Sequence, residues 1–145
     1  MTARLIAKQL RACFGRGNCL FLIGNGGSAE MASHFAAELI HEKLPAISLA
    51  ADNAVLTSIA NDRDFSFIFS DQIRALGKPG DILLTLTTSK EYSKKGHSSN
   101  LFWAAIEAAA NQMEIIEFPR IGKNTQQIQE KQLVLLHKIW QLLRQ

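Results

Sequence analysis

Residues 21–29 read Phe21-Leu22-Ile23-Gly24-Asn25-Gly26-Gly27-Ser28-Ala29, an apolar run that ends in glycines and gives way to a helical pattern at a serine. Cys19 to Ile23, closed by Gly24, has the length and composition of a buried strand. Ser28 is a natural N-cap for a helix over Ser28 to His41, in which Met31, Phe35 and Leu39 recur at core spacing. The glycines let the backbone turn sharply and approach a ligand closely. The helix start offers unpaired N–H groups and the positive end of its dipole to an anion, for which phosphate is the obvious guest. Two other readings stay open at this point. Gly24, Gly26 and Ala29 also satisfy the Gly-x-Gly-x-x-Gly/Ala dinucleotide pattern, with Asp52 past the second strand placed to hold a ribose. A glycine-rich turn with no ligand is the third.

Outward from this loop, strand and helix patterns alternate. Thr2 to Phe14 is helical and ends at Gly15 and Gly17; Ala46 to Leu49 is a short strand after Pro45. Asn53 to Ala60 and Phe65 to Leu76 read as helices separated by the polar stretch Asn61 to Asp64. A Gly77–Asp81 turn leads into a buried strand over Ile82 to Leu86, then a polar loop from Thr87 to Ser99. A helix over Asn100 to Asn111, a strand over Glu114 to Phe118 stopped by Pro119, and a helix over Thr125 to Leu143 complete the chain. Strands separated by helices predict an α/β fold, a doubly wound parallel sheet flanked by helices, with ligands at the carboxyl ends of its strands. The Ile82–Leu86 strand runs into Thr87-Thr88-Ser89, a hydroxyl cluster at such an end, and this second candidate loop favours a sugar phosphate over a dinucleotide.

With 145 residues, 47% of them hydrophobic and 20% charged, the chain is one ordinary globular domain spanning 1–145. A net charge of +3 with scattered arginines does not argue for nucleic acid. Cys13 and Cys19 are too few for a disulfide framework, and no run of about 18 apolar residues exists to span a membrane. The expectation is a cytoplasmic protein with reduced thiols.

His34 and Glu38 lie four residues apart on the predicted helix, hence on one face and one turn apart, bordering the stripe of Phe35 and Leu39. His137 falls inside an apolar helical run and Gln129 lies eight residues before it. From spacing alone, His34 and Glu38 could equally be a surface hydrogen bond and His137 a satisfied core histidine. His41 and His97 have no partner by spacing and read as surface residues.

Several blocks, in this order and spacing, resemble the phosphoheptose isomerases of the sugar isomerase (SIS) domain superfamily. They are Gly24-Asn25-Gly26-Gly27-Ser28, His34-Phe35-Ala36-Ala37-Glu38-Leu39, Leu56 to Asp62, Leu76 to Leu84, and Ile128-Gln129-Glu130 with His137. The resemblance implies a flavodoxin-like SIS fold and an aldose–ketose isomerase of sedoheptulose 7-phosphate, working in bacterial surface-polysaccharide synthesis. It implies zinc held by His34, Glu38, Gln129 and His137, with Glu38 and His137 also the acid–base pair. It implies a sugar phosphate lined by Asn25, Gly26, Gly27, Ser28, Asp62, Thr87, Thr88, Ser89, Ser98 and Gln129, in a homotetramer whose sites lie where subunits meet.

The sequence departs from the family pattern in three places. The family's Ser-Thr-Ser-Gly-Asn-Ser loop is interrupted by Lys90-Glu91-Tyr92-Ser93-Lys94-Lys95 before Gly96-His97-Ser98-Ser99. One strand–helix unit is missing between Met113 and Glu114, and the N-terminal helical region is short. A non-catalytic SIS module, binding a sugar phosphate or a protein partner as the replication-initiator-associating relatives do, is the alternative. It has no need for both Glu38 and His137. A small nucleotide-binding domain is a third reading.

Overall fold

The computed structural model describes residues 1–145. Four parallel strands, β1 (Leu20–Ile23), β2 (Ala46–Ser48), β3 (Ile82–Thr85) and β4 (Glu114–Glu117), form one sheet in the order β2-β1-β3-β4. β1 and β3 are buried along their whole length, which is why they read as near-continuous apolar runs, with Thr85 the one polar residue, and not as alternating ones. Side chains of successive residues enter opposite cores. Leu20, Leu22, Ile82, Leu84 and Ile116 pack on one face against α1 (Ala3–Gly15), α2 (Gly27–His41) and α6 (Thr125–Leu143). Phe21, Ile23 and Leu83 pack on the other against α4 (Ser70–Leu76) and α5 (Ser99–Ala110), with α3 (Asn53–Asp62) partly buried beside them.

Two expected boundaries and one expected side-chain role change for identifiable reasons. The helix after the glycine loop begins at Gly27, not Ser28. Gly26 takes the cap position with φ 55°, so Ser28 lies inside the first turn with its side chain buried and caps nothing. The segment Phe65–Leu76 is not one helix. Asp64 accepts a hydrogen bond from Ser66 N and starts a 3-10 turn over Phe65–Phe67, after which α4 begins separately. Asp52 is the N-cap of α3, its carboxylate accepting from Val55 N at 3.1 Å, which engages the group a ribose would have needed.

At the amino ends of the strands the buried Asp81 carboxylate accepts hydrogen bonds from Cys19 N, Lys78 N and Asn18 Nδ2 at 2.8–2.9 Å. These contacts lock the starts of β1 and β3 side by side. Cys13 and Cys19 lie close by, free and at least half buried. Burial pushes both thiols up to about 11, opposed at Cys13 by the Arg16 guanidinium and reinforced at Cys19 by Asp81. A pKa raised on folding contributes stability that is complete below the ordinary thiol pKa and is lost as pH climbs through the folded value. At pH 8 the thiolate fraction falls on the order of a hundredfold relative to a free cysteine. Iodoacetamide labelling followed by mass spectrometry is therefore expected to be slower than peptide labelling by that factor at both positions. Peptide-like labelling of Cys13 would show that the α1–β1 core opens readily.

Candidate active site

β1 and β3 are adjacent and parallel, with Ile23 opposite Thr85, so the loops that follow them leave the same sheet edge side by side. The chain reverses strand order here, the position at which open α/β sheets bind ligands. Gly24 must be glycine, because a Cβ there would lie 2.8 Å from the Ser28 backbone. The tight turn it permits aims the start of α2 at the loop after β3. Between the two loops lies a pocket of about 420 Å³ whose wall is polar apart from Phe65.

Asn25, Gly26, Gly27, Ser28, Thr87, Thr88, Ser89, Ser98 and Gln129 line this pocket, bringing together nine of the ten residues expected to bind substrate. Asp62 stands apart, at the exposed end of α3, where it accepts a hydrogen bond from Asn61 Nδ2. Ser98 holds its place despite the enlarged loop, in a left-handed conformation at the head of α5.

Two buried amides, which sequence reasoning missed, brace the pocket. Asn100 exchanges a reciprocal pair of hydrogen bonds with Asn25, at 2.8 and 3.0 Å. Gln132 Nε2 donates to Thr87 O and Pro119 O, tying the β3 loop to α6. Its signal in the sequence is a polar residue within the inward stripe Ile128, Gln132, Leu136, Ile139. His97, expected to be an unpartnered surface residue, is exposed but lines the pocket and bonds Ser89 Oγ through Nε2 at 3.0 Å.

The second cluster lies where α2 packs against α6. His34 and Glu38 project from one face of α2, and the packing brings His137 to them from α6. His34 Nε2 is 3.3 Å from His137 Nε2 and 3.4 Å from Glu38 Oε1, and His137 Nε2 is 3.6 Å from the same oxygen. Three atoms able to offer lone pairs thus converge with no cationic side chain among them. A tetrahedral divalent metal with bonds of about 2.0–2.1 Å has ligand–ligand edges of roughly 3.3–3.4 Å, which these separations match closely. Glu38 Oε2 is buried without a partner, a second sign that the carboxylate is meant to meet something further. The three side chains fit a divalent metal, which His34, Glu38 and His137 would hold.

Gln129 is placed elsewhere. α6 is an unbroken helix, so about 12 Å of rise separates Gln129 from His137. The Gln129 amide lies against Gly27 instead, where an added Cβ would come within 2.5 Å of Nε2. The two clusters nevertheless share one surface. One shallow depression, lined by Gly27, Gln129, Met31 and Leu133, adjoins a second that shares Met31 and Leu133 and is lined by His34.

No family model matches the chain. Individual relatives do. The phosphoheptose isomerase of Desulfovibrio desulfuricans is 46% identical over 112 residues, covering 73% of this chain and 50% of that protein. The phosphoheptose isomerase of Shewanella sediminis is 44% identical over 116 residues, covering 76% and 56%. Among solved structures, the phosphoheptose isomerase of Neisseria gonorrhoeae superposes with a TM-score of 0.89 at 30% identity, covering 98% of this chain and 84% of that one. The chain belongs to the phosphoheptose isomerase family. A phosphoheptose isomerase from Francisella tularensis gives the same picture, with a TM-score of 0.88 at 29% identity and the same coverage. The chain spans about half the length of the curated relatives it matches. With the four-stranded β2-β1-β3-β4 sheet, the 84% coverage of the solved structures bears out a family fold in shortened form.

Proposed function

We propose that this chain is a zinc-dependent aldose–ketose isomerase converting sedoheptulose 7-phosphate to D-glycero-D-manno-heptose 7-phosphate, for bacterial surface-polysaccharide precursors. The observation that carries this reading is the placement of the polar pocket and the His34–Glu38–His137 cluster on one surface, joined by adjoining depressions along α2 and α6. Seven residues of α2 separate Gly27 from His34, about 10 Å of rise. That is roughly the extended length of a seven-carbon sugar from its carbonyl end to a terminal phosphate. In this reading the phosphate sits among Gly26, Gly27, Ser28 and the Thr87–Ser89 hydroxyls, and C1 and C2 lie beside Glu38.

The Glu38 carboxylate removes the proton from the carbon next to the carbonyl and returns it to the adjacent carbon. His137 carries the hydroxyl proton between the two oxygens, so an enediol forms and collapses with no net change in protons. A bound zinc would supply positive charge to stabilise the enediolate oxygens. Gln129, against Gly27, orients the phosphate end. His34 and His137 are about half exposed, an openness that suits closure by a neighbouring subunit in a homotetramer. Cytoplasmic location follows from the same reading.

The test is turnover of sedoheptulose 7-phosphate by purified protein with zinc, then with a chelator, then with zinc restored. Conversion that is lost and regained with the metal is expected. A folded, zinc-loaded protein that converts nothing would shift the assignment to a non-catalytic SIS module that binds a sugar phosphate or a protein partner.

A further inference from the structure

The polar pocket offers a phosphate dianion almost no charged side chain. Its twelve lining residues include no lysine, arginine, aspartate or glutamate, and His97 is the only one that can carry a charge. Several neutral groups are already engaged. The Asn25 amide is committed to Asn100, and Thr87 Oγ1 accepts from Ser89 N at 3.1 Å. Gly26 and Gly27 retain N–H groups that make no backbone hydrogen bond, but these supply partial charge only.

The Ser89–His97 bond also closes a loop. Residues 90–96 bulge out between these two side chains, and the bulge is fastened independently of the pocket. Tyr92 Oη donates to Glu117 Oε1 at 2.6 Å, and Lys94 Nζ lies 5.7 Å from the centre of the Trp103 ring. The enlarged segment is thus held against β4 and α5 while its two roots meet at the pocket mouth. His97 follows the bulge directly and is placed by this closure.

We propose that His97, acting through Ser89, is the charge-bearing group for phosphate recognition in this chain. This rests on the sugar-phosphate reading above. With Nε2–H donated to Ser89 Oγ, the serine hydroxyl keeps its own hydrogen for a phosphate oxygen. A proton on both ring nitrogens would place a positive charge one hydroxyl away from the anion. Hydrogen bonds that involve an ionised group are roughly twice as strong as neutral ones. His97 is in this sense a positioning residue for the phosphate and takes no part in the proton transfers at Glu38.

The experiment is a double-mutant cycle of His97→Ala and Ser89→Ala, with circular dichroism confirming the fold. Inorganic phosphate binding is read by calorimetry, and KM and kcat are measured with sedoheptulose 7-phosphate. Each single variant is expected to weaken phosphate about tenfold, and the double variant no more than either one, since both act through one contact. KM should rise by a similar factor while kcat is held. Phosphate affinity unchanged in His97→Ala would overturn the inference, as would losses that multiply in the double variant. A wild-type protein that binds phosphate with this coupling but isomerises nothing would overturn the catalytic reading and leave His97 in place. A wild-type protein that binds no phosphate would overturn both.

Discussion

Replacing Glu38 with glutamine is expected to lower turnover of sedoheptulose 7-phosphate about a thousandfold while leaving phosphate affinity within a factor of two. Acid–base groups contribute roughly 10²–10⁴ in rate, and Glu38 is asked both to remove and to return the carbon-bound proton. Glutamine keeps the shape and an oxygen acceptor, so α2 and the depressions along it are preserved. It has no basic oxygen, and one of its two terminal atoms becomes a donor where Oε2 is buried without a partner. In the proposed reading the phosphate end lies ten or more residues away along the helix and should not register the change. Turnover within tenfold of wild type would remove Glu38 from the chemistry and leave it as a metal ligand alone.

His137→Asn is the second large effect. His34, Glu38 and His137 are the three converging donors, and asparagine cannot extend an atom to where Nε2 now lies. Loss of an outer-shell partner already costs about 10–100-fold in metal affinity, and loss of a ligand should exceed that. Metal content per chain, measured after dialysis against a fixed low zinc concentration, should fall together with the rate. Full occupancy and normal turnover would show that His137 is a packing residue of α6. The two variants separate roles: Glu38→Gln should lose more rate than metal, whereas His137→Asn should lose both.

Much of the fold was legible because the central strands are short, almost wholly apolar and set off by glycine-containing turns, Gly24 after β1 and Gly80 before β3. Leu20–Ile23 and Ile82–Thr85 lie within one residue of where the pattern placed them. The helix start at Gly27 was misread because a serine at a cap position is ordinarily informative, whereas Gly26 can adopt a positive φ that serine rarely does. The break between the 3-10 turn and α4 was hidden because apolar residues run through both. At the site, His34 and Glu38 were visible from a four-residue spacing. Their meeting with His137, a hundred residues on, depends on α2 packing against α6, which no local pattern reports. Resemblance supplied that pairing. His97 escaped both routes, since its partner Ser89 is fixed by how a loop closes.

α2 begins at the polar pocket and carries Glu38 near its far end, so in the proposed reading a rigid rod spans the whole reacting molecule. One residue added between Gly27 and His34 would turn every later side chain by about 100° and move it about 1.5 Å along the axis. Both consequences would take His34 and Glu38 away from His137. Between Ser89 and His97, by contrast, added residues bulge outward without parting the two roots. In diverging descendants of this chain, insertions and deletions should therefore accumulate in residues 90–96, while the length of α2 stays constant even as its outer face changes in sequence.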